Sequence, residues 1–263
     1  MTMDAMDTVK ASHIRTMIAG NAREDGRGAY DFRDIKLTAG LLQNAEGSAQ
    51  AQIGNTTVLA GVKLDIEEPM PDTPKQGNLI MSAELLPLAS EAYETGPPSP
   101  QAIEFGRVVD RGIRHGNCID LESLFIEDEK VWTVFIDLYV LNYDGNLFDA
   151  GTLAAMGALM NTKVPKVEDG EAVREDRTKK MKINNIVTST TFAKIKDKII
   201  LDPNGDEEMA ADCRLTIATD GEKVKSMQKG KSGGLFKSEI EEMLGTAFNK
   251  HKGLKDILES SQV

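Results

Sequence analysis

The sequence predicts a fold of mixed strands and helices in two halves of similar order. Segments rich in β-branched and small residues, separated by glycines, predict strands in both halves. Each half then ends in a packing helix, expected at Ala150–Asn161 and Phe236–Glu259. Between them, Lys163–Lys182 is polar and nearly devoid of large apolar residues, which indicates a linker or an exposed excursion. A chain of 263 residues is long enough for one large domain or two tightly joined halves.

The remaining elements of the first half follow from apolar spacing and turn residues. Met6–Asn21 is expected to form an amphipathic helix with Val9, Ile14, Met17 and Ile18 on one side. Ser99 before Pro100 provides an N-cap and an N1 proline, so a helix should begin there and continue to about His115. Strands are expected at Ile35–Leu41, Gly47–Ile53, Thr56–Ile66 and Asn78–Leu88, followed by a hairpin of Ile119–Glu127 and Lys130–Leu141 around Asp128-Glu129.

Strands of the second half are expected at Ile186–Ile195, Lys198–Leu201 and Arg214–Ala218. Gly221–Gly234 is basic and rich in glycine, but it lacks the glycine spacing of a phosphate loop. We interpret it as a hairpin turn that leads into the last helix.

Composition limits the classes of function. The formal net charge of −11 argues against a stand-alone nucleic-acid binder, although it allows a local basic groove or a basic partner. We find no apolar run near the roughly 18–20 residues of a membrane helix and no secretory signal. Cys118 and Cys213 lack metal-ligand spacing, as expected for reduced thiols in a cytoplasmic protein.

The segment Val131–Asn161 predicts a buried strand, a tight turn at Asp144-Gly145 and a helix of small residues. A strand that enters a helix through a glycine turn is a natural anion site, because the first helical N–H groups are unpaired and carry positive partial charge. However, Leu147, Phe148 and Asp149 stand where such a site prefers serine, threonine, glycine or arginine. The turn therefore has the expected geometry of a phosphate cradle without its residues.

Arg107, Arg111 and Arg114 are spaced to share one face of the helix after Pro100, whereas Ile103, Val109 and Ile113 can face the core. Planar, permanently charged guanidinium groups in a row suit successive phosphates. The alternative is a solvated or subunit-facing surface, in which Asp110 pairs with Arg114.

The segment Asp202–Thr216 is acidic and is expected to be a loop that enters a strand. Asp206 and Asp212 lie six residues apart, and carboxylates grouped in this way can hold a divalent cation or act in acid–base chemistry. The alternative is a solvated turn in which Asp212 accepts hydrogen bonds from backbone N–H groups.

Several phrases stand out, and they extend over nearly the whole chain. They are Asp25-Gly26-Arg27, Asp31-Phe32-Arg33, GSAQAQIGNTTVLAGVKLDI, IEFGRVVDRGIRHGNCIDLESL and AADCRLTIATDG. Together these phrases resemble the RNase PH family, and within it the non-catalytic ring subunits of archaeal exosomes.

This resemblance implies an α+β fold. Residues 1–165 would form the RNase PH-like core domain, which resembles the second domain of ribosomal protein S5 and includes the N-terminal helix. Residues 166–263 would form a smaller C-terminal α/β domain. The resemblance also implies three copies alternating with three copies of a catalytic paralogue in a hexameric ring, beneath a cap of RNA-binding subunits. Single-stranded RNA would enter the central channel, and the paralogue would degrade it from the 3′ end with inorganic phosphate as the nucleophile.

Two departures from the active members predict that this chain has no catalytic residues. Their phosphate turn carries a gripping arginine, close to where this chain has Phe148, and Asp149 is expected to cap its own helix and to repel phosphate. Ser99-Pro100-Gln101 replaces a Ser-Arg-Arg run. We therefore expect no bound metal and no cofactor.

The resemblance leaves one alternative open and assigns one site. Asp206 and Asp212 have the spacing of the aspartate pair of active members, which is compatible with an independently active phosphate-dependent 3′–5′ exoribonuclease. In this family the helix that carries Arg107, Arg111 and Arg114 faces the RNA path and the neighbouring active site, so these arginines are predicted to bind RNA.

Overall fold

The structure is a computed structural model that describes residues 5–127, 129–168, 170–177 and 179–262. Asp128, half of the predicted turn at Asp128-Glu129, lies outside the described residues. The first element, helix α1 (Ala5–Ala19), buries Ala11, Ile14 and Ile18. Val9, predicted on the same side, is exposed, so the buried face of α1 is narrower than expected.

The first sheet contains six strands: β1 (Ile35–Ala39), β2 (Gly47–Ile53), β3 (Thr56–Glu67), β4 (Asn78–Leu85), β5 (Phe125–Glu127) and β6 (Lys130–Asn142). Its order is β1-β2-β3-β6-β4, with β5 also paired to β6, and only β4 runs parallel to its partner among the described pairs. Every second residue of β3 is buried from Thr56 to Leu64, as expected for a sheet with one covered face.

The predicted strands at Asn78–Leu88 and Ile119–Glu127 are each shorter than expected. A 3₁₀ turn at Pro87–Ala89 follows β4, because Pro87 cannot donate to a strand ladder. Another 3₁₀ turn, at Leu121–Leu124, precedes β5 and is capped by the Asp120 side chain, which accepts a hydrogen bond from the Ser123 N–H.

Helices α2 (Pro100–His115) and α3 (Leu147–Met160) cover the buried face of the first sheet. The Ser99 side chain accepts a hydrogen bond from the Ala102 N–H, so the predicted N-cap is confirmed. Val109 and Ile113 are buried as expected, but Ile103 is exposed. Every residue of α3 is buried, because the helix packs against the first sheet on one side and the C-terminal sheet on the other.

The excursion at 163–182 forms two small antiparallel ribbons. Strand β7 (Lys163–Val164) pairs with β10 (Lys179–Lys180), and β8 (Lys166–Glu168) pairs with β9 (Glu171–Val173). The segment is attached to β3 through Arg174, which binds Glu46 (3.3 Å) and the Leu64 carbonyl (3.1 Å).

The second sheet has the order β12-β11-β13-β14, with β11 at Thr188–Ile195, β12 at Lys198–Leu201, β13 at Cys213–Thr219 and β14 at Val224–Gly230. Two predictions are wrong here. Much of Gly221–Gly234 is strand β14, because the run from Val224 pairs with β13. The acidic loop contains helix α4 (Gly205–Ala210), which begins at a capping box of Asn204 and Glu207.

Helix α5 (Lys237–Ser260) packs on this sheet through Met243 and Ala247. Helix α1 packs against β11, β12 and α4, so the first helix of the chain lies on the C-terminal sheet. That packing crosses the predicted boundary between residues 165 and 166, which stays a prediction. Within the described ranges, no helix combines the length and apolar character needed to cross a membrane.

Candidate functional site

The turn between β6 and α3 is held at every residue by other parts of the chain. Gly145 has a φ of +75°, and a Cβ there would lie 2.5 Å from the Pro203 carbonyl oxygen, so no other residue fits. Asp144 accepts hydrogen bonds from the Gly205 N–H (3.1 Å) and the Asn55 amide (3.2 Å). The C-terminal half therefore presses directly on the turn.

Asn146 is buried in the left-handed conformation and links two carboxylates. Its side-chain amide donates to Asp202 Oδ1 (2.6 Å) and to Asp149 Oδ2 (2.9 Å). Asp149 also accepts hydrogen bonds from the Thr191 N–H (2.9 Å) and hydroxyl (2.7 Å). The expected N-cap role of Asp149 is wrong: helix α3 begins at Leu147, and Asp149 is directed to strand β11 of the other half.

The charge of Asp149 is also weaker than the sequence suggested. Burial raises its pKa to about 7, and the negative charge of Asp202 acts in the same direction against the hydrogen bonds from Asn146 and Thr191. A carboxyl group with a pKa near 7 is only partly ionised at neutral pH, so it repels an incoming anion less than a fully ionised aspartate would. The expected repulsion of phosphate by Asp149 stays a prediction.

Phe148 fills the position after the turn. Its buried ring lies edge-on to Phe105, with 6.1 Å between centroids. The Arg214 guanidinium of β13 stacks over the same ring, with Cζ 4.3 Å from the centroid. Arg214 is in turn paired with Glu104 (2.7 Å) and Glu208 (3.3 Å), so its charge is neutralised inside the protein.

Glu208 of α4 accepts hydrogen bonds from the donors that surround the turn. Its Oε2 atom receives the Tyr143 hydroxyl (3.0 Å) and the Asn146 N–H (3.3 Å), and its Oε1 atom receives Arg214 Nη1 (3.3 Å). Burial, then the negative charge of Glu208, raises the pKa of Tyr143 above its ordinary range, so the hydroxyl remains a donor. The turn that could bind an external anion thus binds a carboxylate of the chain itself.

Three arginines of the N-terminal segment hold α4 and the preceding loop. Arg23 forms a two-pronged ion pair with Glu207, at 2.6 and 2.8 Å. Arg33 forms another with Asp202, at 2.8 and 2.9 Å, and Arg27 adds a contact of 2.9 Å to the same carboxylate. Burial opposes ionisation of Asp202, but the Arg33 contacts outweigh it and lower its pKa.

The three predicted RNA-binding arginines lie on α2 in three different environments. Arg107 is exposed, and its side chain has no hydrogen-bond or ion-pair partner among the residues that the structure describes. Arg111 donates to Gln228 Oε1 (2.5 Å) on β14. Arg114 pairs with Asp110 (2.7 Å), as the alternative interpretation expected, and also donates to the Leu79 carbonyl (2.8 Å).

The two predicted acidic residues lie at opposite ends of α4. Asp206 is in its first turn and has no side-chain partner within the described residues. Asp212 follows the helix and is bound to Arg15 of α1 (2.6 Å) and to the Lys196 N–H (2.7 Å), the backbone contact that the solvated-turn alternative expected. In the described part of the chain, no group of three histidine, cysteine, aspartate or glutamate residues is arranged to hold a metal ion.

Sequence reasoning missed the residues that hold the turn closed. Glu208 is 62 residues from Asn146 and 65 residues from Tyr143 along the chain. No local spacing joins residues so far apart. Arg27 and Arg33 do stand in phrases that carried the resemblance, but those phrases gave no indication of the carboxylates that they bind.

Comparison with known proteins identifies the family to which this two-domain α+β fold belongs. The model of the 3′ exoribonuclease family matches its first domain at residues 31–165 and its second domain at 185–250. The chain therefore belongs to the 3′ exoribonuclease, or RNase PH, family.

Similar curated proteins include the "Exosome complex component Rrp42" of Thermococcus gammatolerans, 44% identical over 97% of this chain and 96% of the relative. The protein of the same name from Methanothermobacter thermautotrophicus is 41% identical over 98% and 97%. Among solved structures, a chain of "archaeoglobus fulgidus exosome with RNA bound to the active site" has a TM-score of 0.90 and 40% identity, covering 96% of this chain and 99% of that one. These comparisons confirm the predicted family and fold.

Proposed function

We propose that this chain is a non-catalytic subunit of the hexameric ring of an archaeal RNA exosome. It would bind RNA and shape the active site of a catalytic paralogue that degrades RNA from its 3′ end. The names of its similar proteins support membership of such a complex. The non-catalytic role depends on one observation: the backbone N–H and the side-chain amide of Asn146, in the turn, already donate to Glu208 and Asp202 of the chain itself.

Phosphorolysis needs a site that holds inorganic phosphate beside the scissile bond. In this chain Phe148 stands where active members would have a gripping arginine, and the nearby Arg214 is paired with two carboxylates. Asp212, which would supply acid–base chemistry, is held by Arg15 instead. A carboxylate without bound phosphate has no nucleophile to activate.

The arginine face of α2 supports the RNA-binding part of the proposal. The chain has a net charge of −11, yet Arg107 presents at its surface a guanidinium that has no partner among the described residues. A lone exposed arginine of this kind suits a backbone phosphate, and such contacts are independent of RNA sequence. We therefore propose Arg107, Arg111 and Arg114 as RNA contacts, with Arg107 as the strongest.

The alternative is an independently active phosphate-dependent exoribonuclease that forms its own ring. The spacing of Asp206 and Asp212 favours it, since this pair matches that of active members. The two proposals differ in whether the chain alone degrades RNA.

The test is phosphate-dependent degradation of poly(A) by this chain alone and by the ring assembled with a co-expressed catalytic paralogue. We expect activity only from the assembled ring, which native mass spectrometry should show as three copies of each subunit. Strong activity of the chain alone, abolished by Asp212→Asn, would favour the alternative. RNA-binding cap subunits as further partners, and a cytoplasmic location, remain predictions from the resemblance.

A further inference from the structure

The donors around the turn form a set that suits an oxyanion. They are a backbone N–H beside a helix N-terminus (Asn146), a tyrosine hydroxyl (Tyr143) and a guanidinium (Arg214), and all three reach one carboxylate within 3.3 Å. The same combination of donors binds phosphate in proteins. In this chain the occupant is Glu208.

We infer that Glu208 is an internal anion that occupies the phosphate position of the turn and thereby excludes inorganic phosphate from this chain. The inference rests on the proposed function, because it names the residue that makes the subunit non-catalytic. It differs from the explanation given by the sequence alone, which relied on a missing arginine and on Asp149.

The position of Glu208 is fixed on both sides. Helix α4 begins at the Asn204–Glu207 capping box, and Glu207 is clamped by Arg23. At the other end Lys231 donates to the carbonyl groups of Glu208, Met209 and Ala211, the last at 2.9 Å. Because this backbone is fixed, the Glu208 carboxylate is held close to the donors, and an external phosphate must displace an intramolecular ligand.

The donor set also has unused capacity. Arg214 Nε is buried and has no acceptor within the described residues. A carboxylate has two oxygens and leaves this donor unpaired, whereas a tetrahedral anion has four oxygens to share among the same groups. Glu104 Oε1, 2.7 Å from Arg214 Nη2, is a further negative group at the site and would remain there to weaken binding.

The experiment measures binding of inorganic phosphate to the purified chain by thermal unfolding and by ³¹P line broadening, with sodium chloride at equal ionic strength. We expect Glu208→Ala to bind phosphate saturably, roughly tenfold or more tightly than the wild type, since it gains the freed donors and loses a negative charge. Phosphate should then raise the Tm of this variant. The matched control is Asp197→Ala, which removes an exposed carboxylate from the turn between β11 and β12 and should behave as the wild type does.

Two further variants keep the inference testable if Glu208→Ala folds poorly. Glu208→Ser also opens the position and should bind phosphate. Glu208→Gln keeps the size of glutamate but loses its charge and one acceptor oxygen, so it should bind phosphate more weakly than Glu208→Ala does. Failure of both folded small variants to bind phosphate, or equal binding by Glu208→Gln and Glu208→Ala, would overturn the inference. Either result would leave the proposed function intact, because the poly(A) assay tests that role separately.

Discussion

Two sets of three arginines in this chain differ in the partners that they bind. Arg23, Arg27 and Arg33 lie in the N-terminal segment, where each contacts a carboxylate of the C-terminal half. Arg107, Arg111 and Arg114 lie on one helix, and their partners range from a carboxylate to none among the described residues. The first set joins the halves of the molecule, whereas the second leaves positive charge at the surface. What distinguishes them is the position of buried carboxylates, which arginine spacing does not reveal.

The largest expected effect comes from breaking the buried set. Arg23→Ala leaves Glu207 buried with only the longer contact from Arg27 Nη2 (3.9 Å), because both side chains of the Arg23–Glu207 pair are almost fully enclosed. Removing one member of such a pair typically costs about 3–5 kcal/mol. We expect a loss of this size in the free energy of unfolding, measured by urea denaturation. Arg107→Ala is the control and should change stability by less than about 0.5 kcal/mol; equal losses in the two variants would contradict the comparison.

The next effect concerns Asp149, which shares Asn146 with this buried network. Its pKa is raised to about 7 in the folded protein, from about 3.9 in an unfolded chain. The folded state therefore binds more protons between these values, so this group's stabilising contribution is complete below about pH 4 and is lost as the pH rises through 7. The slope is on the order of 1 kcal/mol per pH unit.

Asp149→Asn should remove that slope while keeping the contacts. An asparagine amide can donate a hydrogen bond to the Thr191 hydroxyl, which can in turn donate to the Thr216 hydroxyl (3.0 Å). The asparagine carbonyl can accept the hydrogen bond from the Thr191 N–H. Urea denaturation of both proteins between pH 4.5 and 7.5 gives the difference directly. An identical pH dependence in the two proteins would show that Asp149 is ionised throughout.

The sequence was most informative where contacts are local. The Ser99 cap, the helix at Phe236–Glu259 and the strand at Thr56–Ile66 follow from neighbouring residues, and the structure confirms them. The strand β14 was missed because its run of polar residues becomes a strand only by pairing with β13.

At the turn between β6 and α3, long-range contacts limited the sequence predictions even more strongly. The turn at Asp144-Gly145 could be located from its glycine, but its occupant could not, since Glu208 reaches it from another domain. The role assigned to Asp149 failed for this reason: a carboxylate near a helix start caps that helix only if no stronger partner is present. Here Thr191 of β11 provides two hydrogen-bond donors.

A smaller effect is expected on RNA binding by the exposed set. In the assembled ring, Arg107→Glu should weaken binding of single-stranded RNA several-fold at low salt, because Arg107 is the arginine without a partner among the described residues. Losing one phosphate contact should also reduce the slope of log affinity against log salt by about 0.7. Lys252→Glu, on the exposed side of α5, makes the same change in net charge and should leave both quantities unchanged. An unaltered affinity in Arg107→Glu would contradict the proposed contact between α2 and RNA.

The smallest effect should come from Arg114, and it tests whether the pairing of Arg114 with Asp110 weakens its contact with RNA. Arg114 already holds Asp110 at 2.7 Å and the Leu79 carbonyl at 2.8 Å, so Arg114→Ala should reduce RNA affinity less than Arg107→Ala does. Exposed pairs of this kind contribute only about 0.3–0.5 kcal/mol to stability. Asp110→Ala should release the Arg114 fork and slightly raise RNA affinity in the same filter-binding or fluorescence anisotropy assay. If Asp110→Ala instead lowers affinity, the ion pair is what positions Arg114 on the RNA, and the expected order of Arg107 above Arg114 would be wrong.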